Sequence, residues 1–132
     1  MRFELDKHEK YALIKPLDIT YLNSESAPKL KSEILLIHTE EIYNIVLDLS
    51  NVSSANESGV SALLSANRLC RNYEGTFVLA SVHSAIQELL TLSTTENYIN
   101  IVPTVTEAID LIFMEEIERD LRRELNDEGE DN

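Results

Sequence analysis

The chain has few of the residues that build reactive or ligand-binding sites. Its 132 residues include three glycines, one cysteine and three histidines. No GxxxxGK[ST] or GxGxxG segment occurs, so there is no glycine-rich cradle for a nucleotide phosphate. The histidines His8, His38 and His83 fall in different predicted elements, and neither HExxH nor CxxC is present. We therefore expect no metal centre and no bound cofactor.

The single cysteine, Cys70, excludes an intramolecular disulfide and is typical of a reducing compartment. A lone cysteine in an apolar helical pattern is most often a small buried side chain. No apolar run is long enough for a transmembrane helix, and no apolar segment follows the charged start MRFELDKHEK as a signal peptide requires. These features predict a cytoplasmic protein that does not bind membranes directly.

Basic residues are also scarce: 11 Lys and Arg stand against 24 Asp and Glu, a net charge of −13. Such a charge repels nucleic acid phosphates and anionic lipid, so neither is an expected partner. A protein partner with a basic patch is favoured instead, because opposite fields steer encounter.

Strand-like and helix-like patterns alternate along the chain. The run IYNIVLDLS, with its β-branched and leucine residues, is typical of a strand buried on both faces. Alternation of this kind predicts a single-domain α/β fold, with a mostly parallel central sheet of four to five strands flanked by about four helices. The predicted segments are two strands within 11–22, a helix near 26–38, a strand at 42–50, a helix at 58–73, a strand at 76–81, a helix at 82–92, a strand at 98–102 and a last helix after Thr104.

Two of these helix ends carry recognisable signals. Gly75 follows the helix at 58–73 and is predicted to be its C′ residue. Thr104 and Glu107 have capping-box spacing at the start of the last helix. That helix is expected to turn its apolar side to the core, at Val105, Ala108, Ile109, Ile112 and Phe113.

The last helix is predicted to continue past the core as an acidic extension at 115–125, whereas 126–132 is polar enough to predict a disordered tail. Two interpretations of the extension remain open: a solvated helix that folds back on the body, or a partner-binding helix. Its apolar positions are Met114, Ile117, Leu121 and Leu125, and its expected ion pairs are Glu115 with Arg119 and Glu118 with Arg122.

The stretch SANESGVSALL places Ser58 and Gly59 where an apolar helical pattern begins. A serine nucleophile elbow, G-x-S-x-G, needs a glycine on each side, and position 56 is Asn. His83 would have to act as the base without a recognisable oxyanion loop. We therefore expect no catalytic residue and no enzyme activity, and Ser58 is either a helix cap or a site of modification.

The longer segment IVLDLSNVSSANESGVSALLSANRLCRNYEGTFVLASV resembles the STAS family, the domain of bacterial anti-sigma factor antagonists. The family's strand ending LDLS matches 47–50, and its Asp-Ser-Ser/Thr-Gly loop matches 56–59. The family's Leu-Asp-x-x-x-Ala-Pro-x-Leu segment matches 22–30. The resemblance covers about residues 10–114, so we take 1–114 as a STAS-like domain.

The resemblance implies a regulatory binding module. In that family, a partner that is both anti-sigma factor and serine kinase phosphorylates the second hydroxyl residue of the loop, which is Ser58 here. The unphosphorylated form binds the partner, the phosphorylated form releases it, and a phosphatase resets the switch. The protein would act as a monomer or weak dimer. The implied partner-binding residues are Asn23, Asn56, Glu57, Ser58 and Gly59.

This sequence departs from the family loop at two positions. Asn56 stands where the family usually has Asp, and Glu57 replaces the first hydroxyl. Some family members are instead accessory subunits of an ABC-type lipid transporter ATPase. Under that alternative Ser58 is only structural, and the extension 115–125 is an assembly surface.

Overall fold

The computed structural model describes residues 2–93 and 98–130, with side chains through residue 127. Within these residues, no helix is both long enough and apolar enough to span a membrane. The elements in chain order are β1 (Phe3–Lys7), β2 (Ala12–Pro16), β3 (Tyr21–Leu22), α1 (Ala27–Thr39), β4 (Ile45–Asp48), β5 (Ser54–Ala55), α2 (Glu57–Asn72), β6 (Phe77–Ala80), α3 (Ser84–Ser93), β7 (Asn100–Val102) and α4 (Val105–Glu130).

Five strands form the main sheet in the order β1-β2-β4-β6-β7. β1 is antiparallel to β2, and the remaining neighbours are parallel. The two central strands, β4 and β6, are almost entirely buried, as the predicted apolar runs require. The predicted α/β fold, with a mostly parallel sheet and four helices, is confirmed.

Two strands were not predicted from sequence. β1 is a mostly exposed edge strand. Its sequence FELDK alternates Phe3 and Leu5 with acidic residues, but only Phe3 packs against the core, so the strand signal is weak. β5 has only two residues and pairs in parallel with the equally short β3, outside the main sheet. This small β3–β5 ladder joins the loop before α1 to the loop before α2.

The sheet separates two cores. Alternate residues of the central strands, such as Leu47 and Leu79, face a large core shared with α1, α2 and α3. The residues between them, Val46 and Val78, face a smaller core that α4 covers with Ala108 and Ile112. The start of α2 and the first half of α4 therefore lie on opposite faces of the sheet.

The end of α2 differs from the prediction. Tyr73 is the C-cap and Glu74, with φ of 59°, takes the left-handed C′ conformation that was assigned to Gly75. Gly75 follows, and its N–H donates to the Cys70 carbonyl at 2.7 Å, which completes a Schellman motif. Gly75 has a steric role, because a Cβ there would lie 2.0 Å from the Tyr43 carbonyl oxygen.

α4 begins as predicted, since the Thr104 hydroxyl accepts a hydrogen bond from the Glu107 N–H at 3.2 Å. Ala108 and Ile112 are fully buried, but Phe113 was wrongly expected in the core: it is 44% exposed. The ring of Phe113 meets the edge of Tyr11 instead, at 5.9 Å between centroids.

α4 continues to Glu130, so the described backbone is helical at 126–130, where the sequence predicted disorder. Residues 131 and 132 of that predicted tail lie outside the described residues. The expected Glu118–Arg122 ion pair is present at 3.4 Å. Arg119, however, pairs with Glu116 at 3.0 Å and not with Glu115.

Candidate functional site

Asn56 caps the amino end of α2. Its backbone is extended, and its side-chain oxygen accepts a hydrogen bond from the Gly59 N–H at 3.1 Å. The Asn56 N–H in turn donates to the Leu22 carbonyl at 3.0 Å, which fixes the loop against β3. Asparagine is among the best N-cap residues. The interpretation of Ser58 as the cap is therefore wrong, because Asn56 has that role.

Ser58 is the second residue of α2, and it is exposed. Backbone N–H groups in the first turn of a helix have no intrahelical acceptor, and the helix dipole places its positive end there. The Ser58 hydroxyl thus lies in solvent at a position where added negative charge is favourable.

Gly59 is buried, and the packing around it requires a glycine. A Cβ at this position would lie 2.2 Å from the Leu22 carbonyl oxygen, closer than any real contact allows. The glycine therefore lets α2 pack directly on β3.

The Asn23 side chain stabilises the loop to which it belongs. Its oxygen accepts hydrogen bonds from the N–H groups of Glu25 at 2.9 Å and Ser26 at 3.1 Å. This is an Asx turn between β3 and α1. Asn23 directly follows Leu22, so the contacts of Leu22 with Asn56 and Gly59 bring the Asn23 loop beside the start of α2.

A shallow cleft of about 390 Å³ runs between the first turns of α1 and α2. Its lining contains one cation, Lys31, and one carboxylate, Glu57. Sequence reasoning missed Lys31, because only the packing of α1 against α2 places it beside the loop at 56–59. The lining residues are Ser24, Ala27, Pro28, Lys31, Glu57, Ser58, Ser61 and Ala62.

The histidines and the cysteine lie in other surroundings. A ring nitrogen of His83 is 2.8 Å from the Ser50 carbonyl oxygen. His38 is buried, with a ring nitrogen 3.5 Å from the Cys70 sulfur. Burial raises the pKa of the Cys70 thiol to about 12, so the thiol is protonated and unreactive at neutral pH. Among residues 2–93 and 98–130, no group of three or more His, Cys, Asp or Glu side chains could hold a metal ion.

Several solved structures have the same fold. A putative anti-sigma factor antagonist from Thermotoga maritima superposes with a TM-score of 0.73 at 20% identity, covering 83% of this chain and 93% of its own. The anti-sigma factor antagonist SpoIIAA from Bacillus matches at 18% identity in two forms. The unphosphorylated form has a TM-score of 0.65 and covers 84% of this chain and 97% of its own. The phosphorylated form has a TM-score of 0.63 and covers 84% and 99%.

The fold also occurs within a larger protein. The murine Solute Carrier 26 family anion transporter matches with a TM-score of 0.66 at 11% identity, covering 83% of this chain but only 18% of the transporter. No curated protein matches the sequence. The STAS domain family model matches residues 13–108, which is more than half of the chain. The chain therefore belongs to the STAS domain family.

Proposed function

We propose that this protein is an anti-sigma factor antagonist in a partner-switching pathway. The unphosphorylated surface around Ser58 binds a partner that is both an anti-sigma factor and a serine kinase, and phosphorylation of Ser58 releases it. The observation that carries the proposal is the exposed hydroxyl of Ser58 at the second position of α2, within the segment that the family model matches.

The position of Ser58 suits a switch that leaves the fold intact. A phosphate adds about −1.5 to −2 charges at neutral pH. Next to the free N–H groups of α2 it would be stabilised, and the cap made by Asn56 does not depend on the hydroxyl. A partner surface shaped for a neutral hydroxyl would meet buried charge instead. The two forms of SpoIIAA support this proposal, since both superpose on this chain with similar TM-scores.

The two departures from the family loop largely offset each other. Asn56 keeps the capping geometry but loses the charge of Asp, and Glu57 restores one negative charge a residue later. The loop therefore has the same formal charge as the family pattern. A carboxylate at Glu57 favours the helix start and repels an incoming phosphate, while Lys31 in the same cleft attracts it.

The rest of the proposal concerns where the protein acts and what acts on it. We place it in the cytoplasm as a non-enzymatic regulator of transcription that neither binds nucleic acid nor carries a cofactor. A phosphatase would restore the unphosphorylated form. Beyond Ser58, the partner is proposed to contact the exposed Glu57, the adjoining residues Asn23 and Asn56, and the start of α2 at Gly59.

Capture of partners from the native cell tests the switch. We expect the wild type and Ser58→Ala to retain an ATPase-type kinase, and Ser58→Asp to lose it by roughly 5- to 150-fold. Ser84→Asp is the matched control, because Ser84 is an exposed serine at the first turn of α3. It should bind like the wild type. Equal capture by all four proteins, or by none, would contradict the proposal.

The transporter alternative has weaker support. Its favouring observation is the shared fold of an anion transporter, of which this chain matches only 18%. Under this alternative the protein co-purifies with a transporter ATPase irrespective of Ser58, and deletion of 115–132 abolishes the association. Retention of the kinase by the deleted protein would favour the antagonist.

A further inference from the structure

The second half of α4 presents an apolar stripe to solvent. We define the stripe as Met114, Ile117, Leu121 and Leu125, which are 60%, 60%, 53% and 67% exposed. Their spacing of three and four residues places them on one side of the helix. Large apolar side chains exposed in a continuous row are typical of a docking surface, whereas single exposed ones are common on any protein.

Polar contacts on the other side of α4 hold the stripe outward. Glu116 accepts a hydrogen bond from the Asn44 side chain at 2.8 Å. Arg119, whose side chain is only 14% exposed, pairs with Glu116 and donates to the Thr76 hydroxyl. Arg123 binds Glu74 at 2.9 Å. With 100° of rotation per residue, these side chains lie across the helix from the stripe. α4 cannot turn the stripe inward without breaking them.

The charges around the stripe indicate what could cover it. Acidic residues flank it, with Glu118 on one side and Asp120 and Glu124 on the other. The three arginines of α4 all pair with carboxylates of this same chain, and two of these carboxylates are flanking ones, since Arg122 pairs with Glu118 and Arg123 with Asp120. Within the described residues Glu124 forms no ion pair. A second copy of this chain would bring the same acidic residues and another net charge of −13, so the two copies would repel each other. An anionic membrane would be repelled for the same reason.

We propose that the stripe binds a basic amphipathic helix of another protein, with apolar side chains at every third or fourth position and Lys or Arg beside them. Apolar contact would supply the affinity, and the acidic flanks would select the partner. The first half of α4 packs on the face of the sheet opposite the start of α2, and the second half, which carries the stripe, lies beside the other end of α2. The surface would therefore remain available whether or not Ser58 is charged, and it does not depend on the proposed function.

Peptide binding tests this inference directly. The probe is a helical peptide of about 18 residues with leucine at every third or fourth position and lysine elsewhere. A scrambled peptide of the same composition serves as the control for charge. Fluorescence anisotropy at about 150 mM salt should show tighter binding of the amphipathic peptide. The double variant Ile117→Gln, Leu121→Gln should weaken that binding by about tenfold or more, and Ser58→Asp should not change it.

The matched control is Leu35→Gln, Leu36→Gln, which removes two leucines of α1 that are 53% and 60% exposed. This variant should bind the peptide like the wild type. Equal binding of the scrambled peptide, equal weakening by the α1 variant, or no binding at all would overturn the proposal. So would a dimer in sedimentation that the α4 variant dissociates, because a second copy would then cover the stripe.

Discussion

Asn56 is the first residue of the segment that matches the family's loop, and it is also the N-cap of α2. Its side chain satisfies the Gly59 N–H, which would otherwise lack a partner at the helix start. We expect Asn56→Ala to lower the free energy of unfolding by about 1 kcal/mol in urea titration. Asn56→Asp restores the residue usual in the family and should be at least as stable as the wild type, because Asp caps equally well. Equal losses in both variants would show that the cap does not matter.

Gly59 is required because a side chain would not fit beside Leu22, and its backbone conformation does not itself require glycine. The Cβ of Gly59→Ala would overlap the Leu22 carbonyl, so α2 would have to move away from β3. A loss of about 1–3 kcal/mol is expected in the same titration. Ser58→Ala, one residue earlier and exposed, should stay within about 0.5 kcal/mol of the wild type. An unchanged Gly59→Ala protein would contradict the close approach of α2 to β3.

His38 makes stability depend on pH. It is 9% exposed, its Nδ1 has no hydrogen-bond partner among the described residues, and its ring packs in a T-shaped arrangement against both Tyr43 and Tyr73, which stack on each other. Burial lowers the pKa of His38 below its usual value. As pH falls below about 6.5 the unfolded chain takes up a proton before the folded chain does, so stability falls.

The His38→Gln variant isolates this effect. Other groups titrate identically in both proteins, so the wild type should lose more stability than the variant between about pH 7.5 and pH 5.5. Urea titration at the two pH values measures the difference. Parallel losses in the two proteins would mean that His38 does not titrate differently in the folded and unfolded states.

At the scale of elements, the second half of α4 is held by a polar network and not by a core. Arg119 is central to it, since it joins Glu116 to Thr76, while Asn44 joins Glu116 to the sheet. We expect Arg119→Ala to cost about 1–3 kcal/mol, because Glu116 would lose its ionic partner and keep only the hydrogen bond from Asn44.

Amide hydrogen exchange should locate that effect in the second half of α4, where protection should fall in Arg119→Ala. The control is Arg122→Ala, which removes an exposed ion pair with Glu118 and should cost no more than about 0.5 kcal/mol. Unchanged protection in Arg119→Ala would mean that the network does not hold the helix.

The elements show which features a sequence pattern can predict. Periodicity predicted α1, β4, α2 and β6, because each buries an apolar side against the sheet. β1 was missed because its alternating pattern contains only two apolar residues, Phe3 and Leu5, and its pairing with β2 supplies most of the reason to be extended. Gly75 was misassigned because a glycine after a helix usually takes C′, whereas here Glu74 does and Gly75 makes room for Tyr43.

The candidate site was likewise predictable from the sequence only in part. The family match placed Ser58 at a helix start, but Ser and Asn are both good caps, so the pattern could not decide between Ser58 and Asn56. The contacts of Leu22 with Asn56 and Gly59 come from strands of two residues, too short to leave a pattern. Lys31 enters the cleft only through packing of α1 on α2.

At the scale of the whole molecule, the sheet divides the surface into two parts. The exposed Ser58 and its cleft lie at the first turns of α1 and α2, whereas the apolar stripe lies on the second half of α4, beside the other end of α2. The net charge of the chain is −13, which favours basic partners at both surfaces. Under the two proposals, one partner binds a surface that phosphate on Ser58 switches, and a second binds a surface that this phosphate does not reach.

Mapping of phosphorylation on the protein isolated from its own cells, with and without stress, tests the central claim most directly. Mass spectrometry of the peptide containing SANESGVSALL should show a phosphate on Ser58 in a fraction of the protein that changes with stress, and none in Ser58→Ala. Failure to find phosphate on Ser58 under either condition, or phosphate confined to another residue, would contradict the account.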